Sequence, residues 1–229
     1  MNIQEIWYVD MQSIKQRKVA QAIWENETSI LLYDTATELY LAAAKEESDA
    51  HHIWQLMQHK RESIILRGMS LQTVFDKDET YIKEDSYYFA QCVETIPYDL
   101  SSYPIDIRPL EFHDCPMVCE HYSFQELANE AYVNERIQEG MLGAFLQDTC
   151  VGFIGTHDTG SIGMLEVFPE YRHHHYGEAL IKAMVNQQQQ KGNICYGEVF
   201  FHNQASLSLL HKLNFTFSKD MVHWYCKKE

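Results

Sequence analysis

Apolar residues change their spacing several times in the first hundred positions, which predicts a mixture of helices and strands. Residues 2–26 carry Ile3, Trp7, Met11, Ile14, Ala20, Ile23 and Trp24 at helical spacing, which predicts an amphipathic helix or a pair of helices. The apolar runs 29–33 and 38–43 flank the polar turn 34–37 and predict a hairpin. Further elements predicted here are a helix over 47–59 and strands over 63–66 and 87–93.

The periodicity breaks near residues 98–104, where turn formers and Pro104 stand together. After the break the pattern predicts a strand, a helical region, three antiparallel strands, a helix, a strand, a helix and closing β structure. We therefore expect two domains, 1–100 and 104–229, of which the first is α/β without a chemical motif. The predicted ranges of the second domain are 105–110, 113–140, 141–146, 150–155, 162–168, a helix around Leu180, 194–201, a helix around Leu209, and 215–226.

Composition and charge narrow the function classes. The 229 residues are 45% hydrophobic, which is enough for a packed core, and no apolar run of about 18 residues predicts a membrane span. The first ten residues lack the pattern of a signal peptide, so we expect a cytoplasmic protein without a membrane partner. A net charge of -15, with 18 Lys and Arg spread along the chain, argues against nucleic acid and mildly favours cationic small substrates. The six cysteines form no Cys-x-x-Cys pair, which predicts free thiols and no metal.

The segment Leu165-Glu166-Val167-Phe168-Pro169-Glu170-Tyr171-Arg172 carries the strongest chemical signal. A strand ends at the proline and a helix is expected to start near Gly177, so several backbone N–H groups point outward at a positive helix terminus. Such a terminus binds phosphate. The side chains of Arg172, His173, His174 and His175 supply more hydrogen-bond donors than a structural turn needs. Consecutive histidines do not converge easily on one metal ion, so we predict no metal there.

A second segment, Asn203 to Phe215, follows after one helix and one strand. Asn203 is a suitable N-cap for the helix, and Ser206 lies one turn further on, so both residues also have a purely structural interpretation.

These two segments and the element order resemble the GNAT superfamily of acyl-CoA-dependent N-acyltransferases over residues 104–229. The resemblance implies a GNAT fold, with a central, mostly antiparallel mixed sheet flanked by helices, and acetyl-CoA as co-substrate. The sequence departs from the family at His175, where a glycine is usual, and at Leu210, where a tyrosine often protonates the leaving thiolate. The positions that the resemblance assigns to acetyl-CoA are Leu165, Val167, Arg172, His173, His174, His175, Tyr176, Gly177, Glu178, Ala179, Asn203, Ser206 and Leu210.

A base must still remove a proton from an ammonium substrate. The candidates are Glu166 on the central strand, Glu198 on the next strand and His202 at its end, although strand carboxylates can also face solvent and His202 can also cap a turn. Several family members carry a glutamate about eight residues before the proline, where this chain has Ser161.

Within the superfamily, the two segments together with Trp224 resemble the glycine N-acyltransferase-like subgroup, whose N-terminal half is a degraded copy of the fold. The first hundred residues are compatible with this. Such a domain could complete the acceptor pocket or a homodimer interface.

Three functions remain open at this stage. The first is an N-acetyltransferase that moves an acetyl group to a primary amine of a small molecule by direct attack. The second is an acyl-CoA-binding sensor or scaffold with little or no catalysis, which Ser161, His175 and Leu210 favour. The third is an acetyltransferase acting on a peptide or protein.

Overall fold

The computed structural model describes residues 5–228, and its contacts divide the chain into two compact units. The first unit is Met1–Gln91 with Glu198–Glu229, and the second is Cys92–Gly197. These units differ from the expected domains because the last segment groups with the N-terminal residues. Compact grouping does not test whether either part folds alone, so the division into 1–100 and 104–229 stays a prediction.

The first unit is built on a large twisted sheet. The strand order is β1-β2-β3-β4-β12-β5-β10, with β11 paired to β5, and every pair with a described register is antiparallel except β3 with β4. The expected hairpin is confirmed, since β2 pairs with β3 along its whole length. The strands are β1 (Ala20–Glu25), β2 (Ile30–Asp34), β3 (Leu39–Ala43), β4 (Ile64–Arg67), β5 (Tyr81–Gln91), β10 (Tyr196–Phe200), which crosses the boundary between the units, β11 (Thr216–Phe217) and β12 (Val222–Lys227).

The helices of this unit bury one face each. α2 places Ala50, Ile53 and Met57 in a core that also contains Leu66 and Phe75, so its apolar stripe follows the helical period. The predicted helix over 47–59 is thereby confirmed. The helices of the first unit are α1 (Val9–Gln16), α2 (Glu47–Met57), α3 (Met69–Phe75) and α7 (Gln204–Lys212).

The expectation of a helix or helix pair over 2–26 is right only for α1. Ile3 lies outside the described residues, and residues 20–25 form a strand that pairs with β2. A register shift between Ala22 and Trp24 explains the error, because a bulge replaces the two-residue alternation of a strand with a longer spacing that imitates a helix.

The second unit contains a four-stranded antiparallel sheet in the order β6-β7-β8-β9. The predicted helical region 113–140 is two helices, because α4 ends at His121 and α5 begins only after Asn129, whose side chain accepts the Tyr132 N–H at 3.0 Å. The elements are β6 (Asp106–Pro109), α4 (Cys115–His121), α5 (Glu130–Glu139), β7 (Leu142–Leu146), β8 (Thr149–Thr156), β9 (Ile162–Val167) and α6 (Tyr176–Gln190).

Together these elements form the expected mixed fold, a mostly antiparallel sheet flanked by helices. The interpretation of the N-terminal part as a degraded copy of the fold stays a prediction. None of the helices within residues 5–228 has both the length and the apolar character that a membrane span requires.

A buried ion pair lies in the core of the first unit. Arg67 is fully buried, and its guanidinium donates hydrogen bonds to the Asp10 carboxylate and, at 2.8 Å, to the Trp7 carbonyl. Burial raises the pKa of the Asp10 carboxyl, while the Arg67 charge lowers it. Because both charges have lost their water, each depends on the other.

We expect Asp10→Ala to lower the free energy of unfolding by about 3–5 kcal/mol, because it leaves the Arg67 charge buried without a counter-charge. Urea denaturation of both proteins measures the difference. The double variant Asp10→Ala/Arg67→Met, which buries no charge, should recover part of the loss. A cost below about 1 kcal/mol for the single variant would contradict the assignment.

Candidate functional site

The strand β9 carries a bulge at its centre. Phe153 pairs with Glu166 and Gly155 pairs with Gly163, so two residues of β9, Met164 and Leu165, face one residue of β8. Met164 has a left-handed φ of 50° and is buried in the core of the second unit. A bulge changes the direction of the peptide groups around it. Here those groups belong to β9, an edge strand of the four-stranded sheet.

The turn after β9 contains two residues, His173 and His175, with a left-handed backbone conformation. Pro169–Tyr171 forms one 3-10 turn, Arg172 is extended, and His173 and His175 have φ of 66° and 63°. His175 therefore adopts the left-handed conformation that glycine adopts most easily, so the turn keeps the geometry of a glycine-containing turn. The Arg172 Nε donates to the Val167 carbonyl at 3.0 Å, which ties the turn to the end of the strand.

The 15-residue helix α6 begins directly after this turn. Its first backbone N–H groups have no partner within the helix, and they lie at the positive end of its dipole. His173, His174 and His175 are exposed beside this end, and the His174 ring stacks on Tyr176 with a centroid separation of 5.6 Å.

The acidic residue in the first turn of α6 is held by neighbouring side chains. The Glu178 carboxylate accepts hydrogen bonds from Lys182 at 2.9 Å and from the Tyr103 hydroxyl at 2.8 Å, and it lies 3.5 Å from the His175 ring. The Tyr103 and Glu178 contacts raise the pKa of Lys182. Lys182 thus offsets the negative charge of Glu178, the acidic residue in the first turn of α6.

Glu166 lies on β9, two residues after the buried Met164, and is half-buried. Its Oε1 accepts the backbone N–H of Ser123 at 3.0 Å and also the Ser123 hydroxyl. Burial raises the pKa of Glu166, whereas the Ser123 N–H and the charges of Arg172 and His121 act in the opposite direction. A carboxylate with a raised pKa is a better proton acceptor than a fully solvated one.

A second polar pair, which the sequence pattern did not single out, lies over the start of β9. The His157 Nδ1 is 3.1 Å from the Tyr132 hydroxyl, and a Cβ added to Gly163 would lie 2.3 Å from the His157 Nε2. The ring thus packs against bare backbone next to the bulge. Burial lowers the pKa of His157 to about 4, with a further contribution from Arg136.

Ser161, at the position where several family members carry a glutamate, is fully buried and 3.0 Å from the Thr159 hydroxyl. Its hydroxyl therefore takes part in a hydrogen bond within the turn between β8 and β9.

The second unit contains the predicted site residues Leu165, Val167, Arg172 and those from His173 to Ala179. They lie at the end of β9, in the turn after it and at the start of α6. Glu198, His202, Asn203, Ser206 and Leu210 belong to the first unit. Asn203 accepts the Ser206 N–H at 3.1 Å and caps α7, as its structural interpretation predicted. Glu198 is half-buried on β10, His202 stacks on Phe200, and Leu210 is buried.

Among the described residues, no group of three or more His, Cys, Asp or Glu side chains is placed to hold a metal ion.

Comparison with known proteins finds a family model that is similar to one segment of the chain, and solved structures with a similar fold. Residues 105–215 match the family model described as "Acetyltransferase (GNAT) family". No curated protein matches the chain significantly. The site residues from Leu165 to Ala179 all fall inside the matched range.

Solved structures with a similar fold cover nearly the whole chain. A Drosophila protein is 16% identical, with a TM-score of 0.67, over 99% of this chain and 91% of its own. An acetyltransferase from the GNAT family of Novosphingobium aromaticivorans is 13% identical, with a TM-score of 0.58, over 98% of both chains. A GCN5-related N-acetyltransferase from Kribbella flavida is 7% identical, with a TM-score of 0.61, over 98% of this chain and 95% of its own.

At these identities the structures show the fold alone. Residues 105–215, slightly less than half of the chain, are therefore similar to the acetyltransferase (GNAT) family, and the fold is that of the solved structures.

Proposed function

We propose that this protein transfers an acetyl group from acetyl-CoA to a primary amine of a small molecule by direct attack. The observation that carries the proposal is the left-handed turn between β9 and α6, which places the N-terminus of a 15-residue helix inside the segment that matches the family model. Such a terminus binds the pyrophosphate of a nucleotide cofactor.

In this proposal the turn from Arg172 to Ala179 binds the pyrophosphate, and the imidazoles of His173, His174 and His175 add donors. Leu165 and Val167 on β9 contact the pantetheine arm. The bulge at Met164 interrupts the pairing of β9 with β8, so a peptide N–H of β9 would be available to stabilise the negative charge that would develop on the thioester carbonyl. Asn203, Ser206 and Leu210 stay predicted contacts of acetyl-CoA, which the resemblance alone assigns.

The reaction needs one proton acceptor. The amine nitrogen forms a bond to the thioester carbonyl carbon, the C–S bond breaks with its electron pair on sulfur, and the nitrogen loses a proton. Of the three candidates, Glu166 is favoured because burial raises its pKa and because it lies on the bulged strand. Glu198 and His202 remain alternatives. With leucine at position 210, the thiolate takes its proton from solvent.

The net charge of -15 supports a cationic acceptor, since an acidic surface attracts ammonium ions. A second candidate function is an acyl-CoA-binding sensor with little or no catalysis. Two positions favour it, because neither supplies an acid or a base: Ser161 is buried, and position 210 holds a leucine. Homodimerisation and a cytoplasmic location stay predictions.

The first test is the substitution Gly177→Asp, which adds a negative charge in the first turn of α6. We expect it to abolish acetyl-CoA binding in calorimetry, because the new carboxylate repels the pyrophosphate. Gly177→Ala, which adds a methyl group without charge, is the matched control and should retain most of the affinity. Equal affinity of the Asp variant and the wild type would remove the phosphate site from this turn.

The second test concerns the left-handed histidine. His175→Gly should raise the free energy of unfolding by about 1 kcal/mol in urea denaturation, because glycine adopts a φ of 63° without the steric cost of a Cβ. It should also weaken acetyl-CoA binding if the imidazole contacts phosphate. His174→Gly is the control and should not stabilise the protein, since His174 does not have a positive φ.

The third test is Glu166→Gln, followed by thiol release in a screen of amines. We expect kcat to fall by about 10²-fold or more, because the amide cannot accept the proton. The KM for acetyl-CoA should change little. A wild-type protein that binds acetyl-CoA but acetylates no amine would favour the sensor instead.

A further inference from the structure

The loop between α4 and the 3-10 turn Gln125–Leu127 contacts the proposed base directly. Ser123 in this loop places two donors, its backbone N–H and its hydroxyl, on the same oxygen of Glu166. Two donors on Oε1 fix the rotation of the carboxyl group, so Oε2 is the oxygen that remains to accept a proton.

Packed side chains at the end of α4 fix the position of this loop. Tyr122 ends α4 in an extended conformation and is buried in the core of the second unit, 6.5 Å from the Phe153 ring. The next residue, Ser123, is therefore anchored by a packed neighbour. The preceding residue, His121, packs its ring against Phe168 at 4.1 Å. The two packed residues directly before Ser123 thus hold its two donors near Glu166.

We propose that Ser123 is a positioning residue for acetyl transfer: it orients the Glu166 carboxylate and tunes its proton affinity. This inference rests on the proposed function and names a residue that no sequence motif marks. A hydrogen bond to a carboxylate stabilises its charged form, and burial destabilises it. Ser123 thus counteracts burial, so that Glu166 is ionised, and able to accept a proton, at a lower pH than burial alone would allow.

The charged and titratable groups that face Glu166 belong to two segments, the end of α4 and the turn after β9. His121 at the end of α4 and Arg172 after β9 lower its pKa, together with the Ser123 N–H, and burial among the core side chains raises it. The Tyr122 hydroxyl also responds to Glu166, whose charge contributes to the raised pKa of that tyrosine. Ser123 differs from the charged neighbours because it contributes two directed hydrogen bonds, one of which is abolished when its hydroxyl is removed.

The test is Ser123→Ala, which removes the hydroxyl and keeps the backbone N–H. We expect the acid limb of the kcat/KM profile to move up by about one pH unit, which is what the loss of one hydrogen bond to a charged group produces. The plateau above the limb should fall much less than in Glu166→Gln. Ser123→Thr retains a hydroxyl and should return the limb towards its wild-type position.

Ser101→Ala is the matched control. Ser101 also gives its backbone N–H and its hydroxyl to a carboxylate, that of Asp99, but in an exposed turn outside the site. This variant should leave both the limb and the plateau unchanged. If Ser123 had only a structural role, Ser123→Ala would lower the plateau and leave the limb where it is, and that result would overturn the proposal.

A measurement without turnover separates this inference from the proposed function. The carboxyl carbon of Glu166 can be titrated by NMR in the full-length protein, with Glu166→Gln identifying the signal. Its pKa should be higher in Ser123→Ala than in the wild type. An unchanged pKa would sink the inference even if the enzyme acetylates amines, whereas a raised pKa in a protein without turnover would sink the proposed function alone.

Discussion

The main chain from the middle of β9 to the start of α6 is the constraint on which the candidate site depends. Three residues that are not glycine, Met164, His173 and His175, adopt left-handed φ angles there. Each costs of order 1 kcal/mol, so the surrounding structure must enforce them. Met164 is fixed by the buried core, and Arg172 ties the turn back to Val167. Strained backbone held in this way often marks a functional site.

The same segment explains how a negatively charged protein can offer an anion site. A helix N-terminus attracts anions through main-chain groups, so it needs no surplus of basic side chains. Glu178 would weaken this field, but Lys182 and Tyr103 bind its carboxylate. The net charge of the chain then acts at longer range on the acceptor, while the local charges decide what binds at the turn.

The sequence predicted the parts of the fold that follow from local pattern. The hairpin β2–β3, the helix α2 and the strand β9 with its proline exit could be predicted because their periodicity and turn residues lie close together in the chain. The strand β1 was mistaken for a helix because its bulge depends on pairing with β2. The roles of Ser123, Tyr132 and His157 were not predictable either, since they arise from contacts between elements that are 25 or more residues apart.

Burial acts in opposite directions on the two titratable groups that flank the bulge. It raises the pKa of Glu166 and lowers that of His157 to about 4, and both shifts favour the neutral form. At neutral pH the imidazole is therefore uncharged and does not repel an arriving ammonium ion. Burial disfavours the ionised form of the carboxylate, and the Ser123 N–H, Arg172 and His121 oppose this effect. In the proposed reaction, the charge that would attract and deprotonate an amine at Glu166 thus depends on a few neighbouring donors, and His157 contributes hydrogen bonding instead of charge.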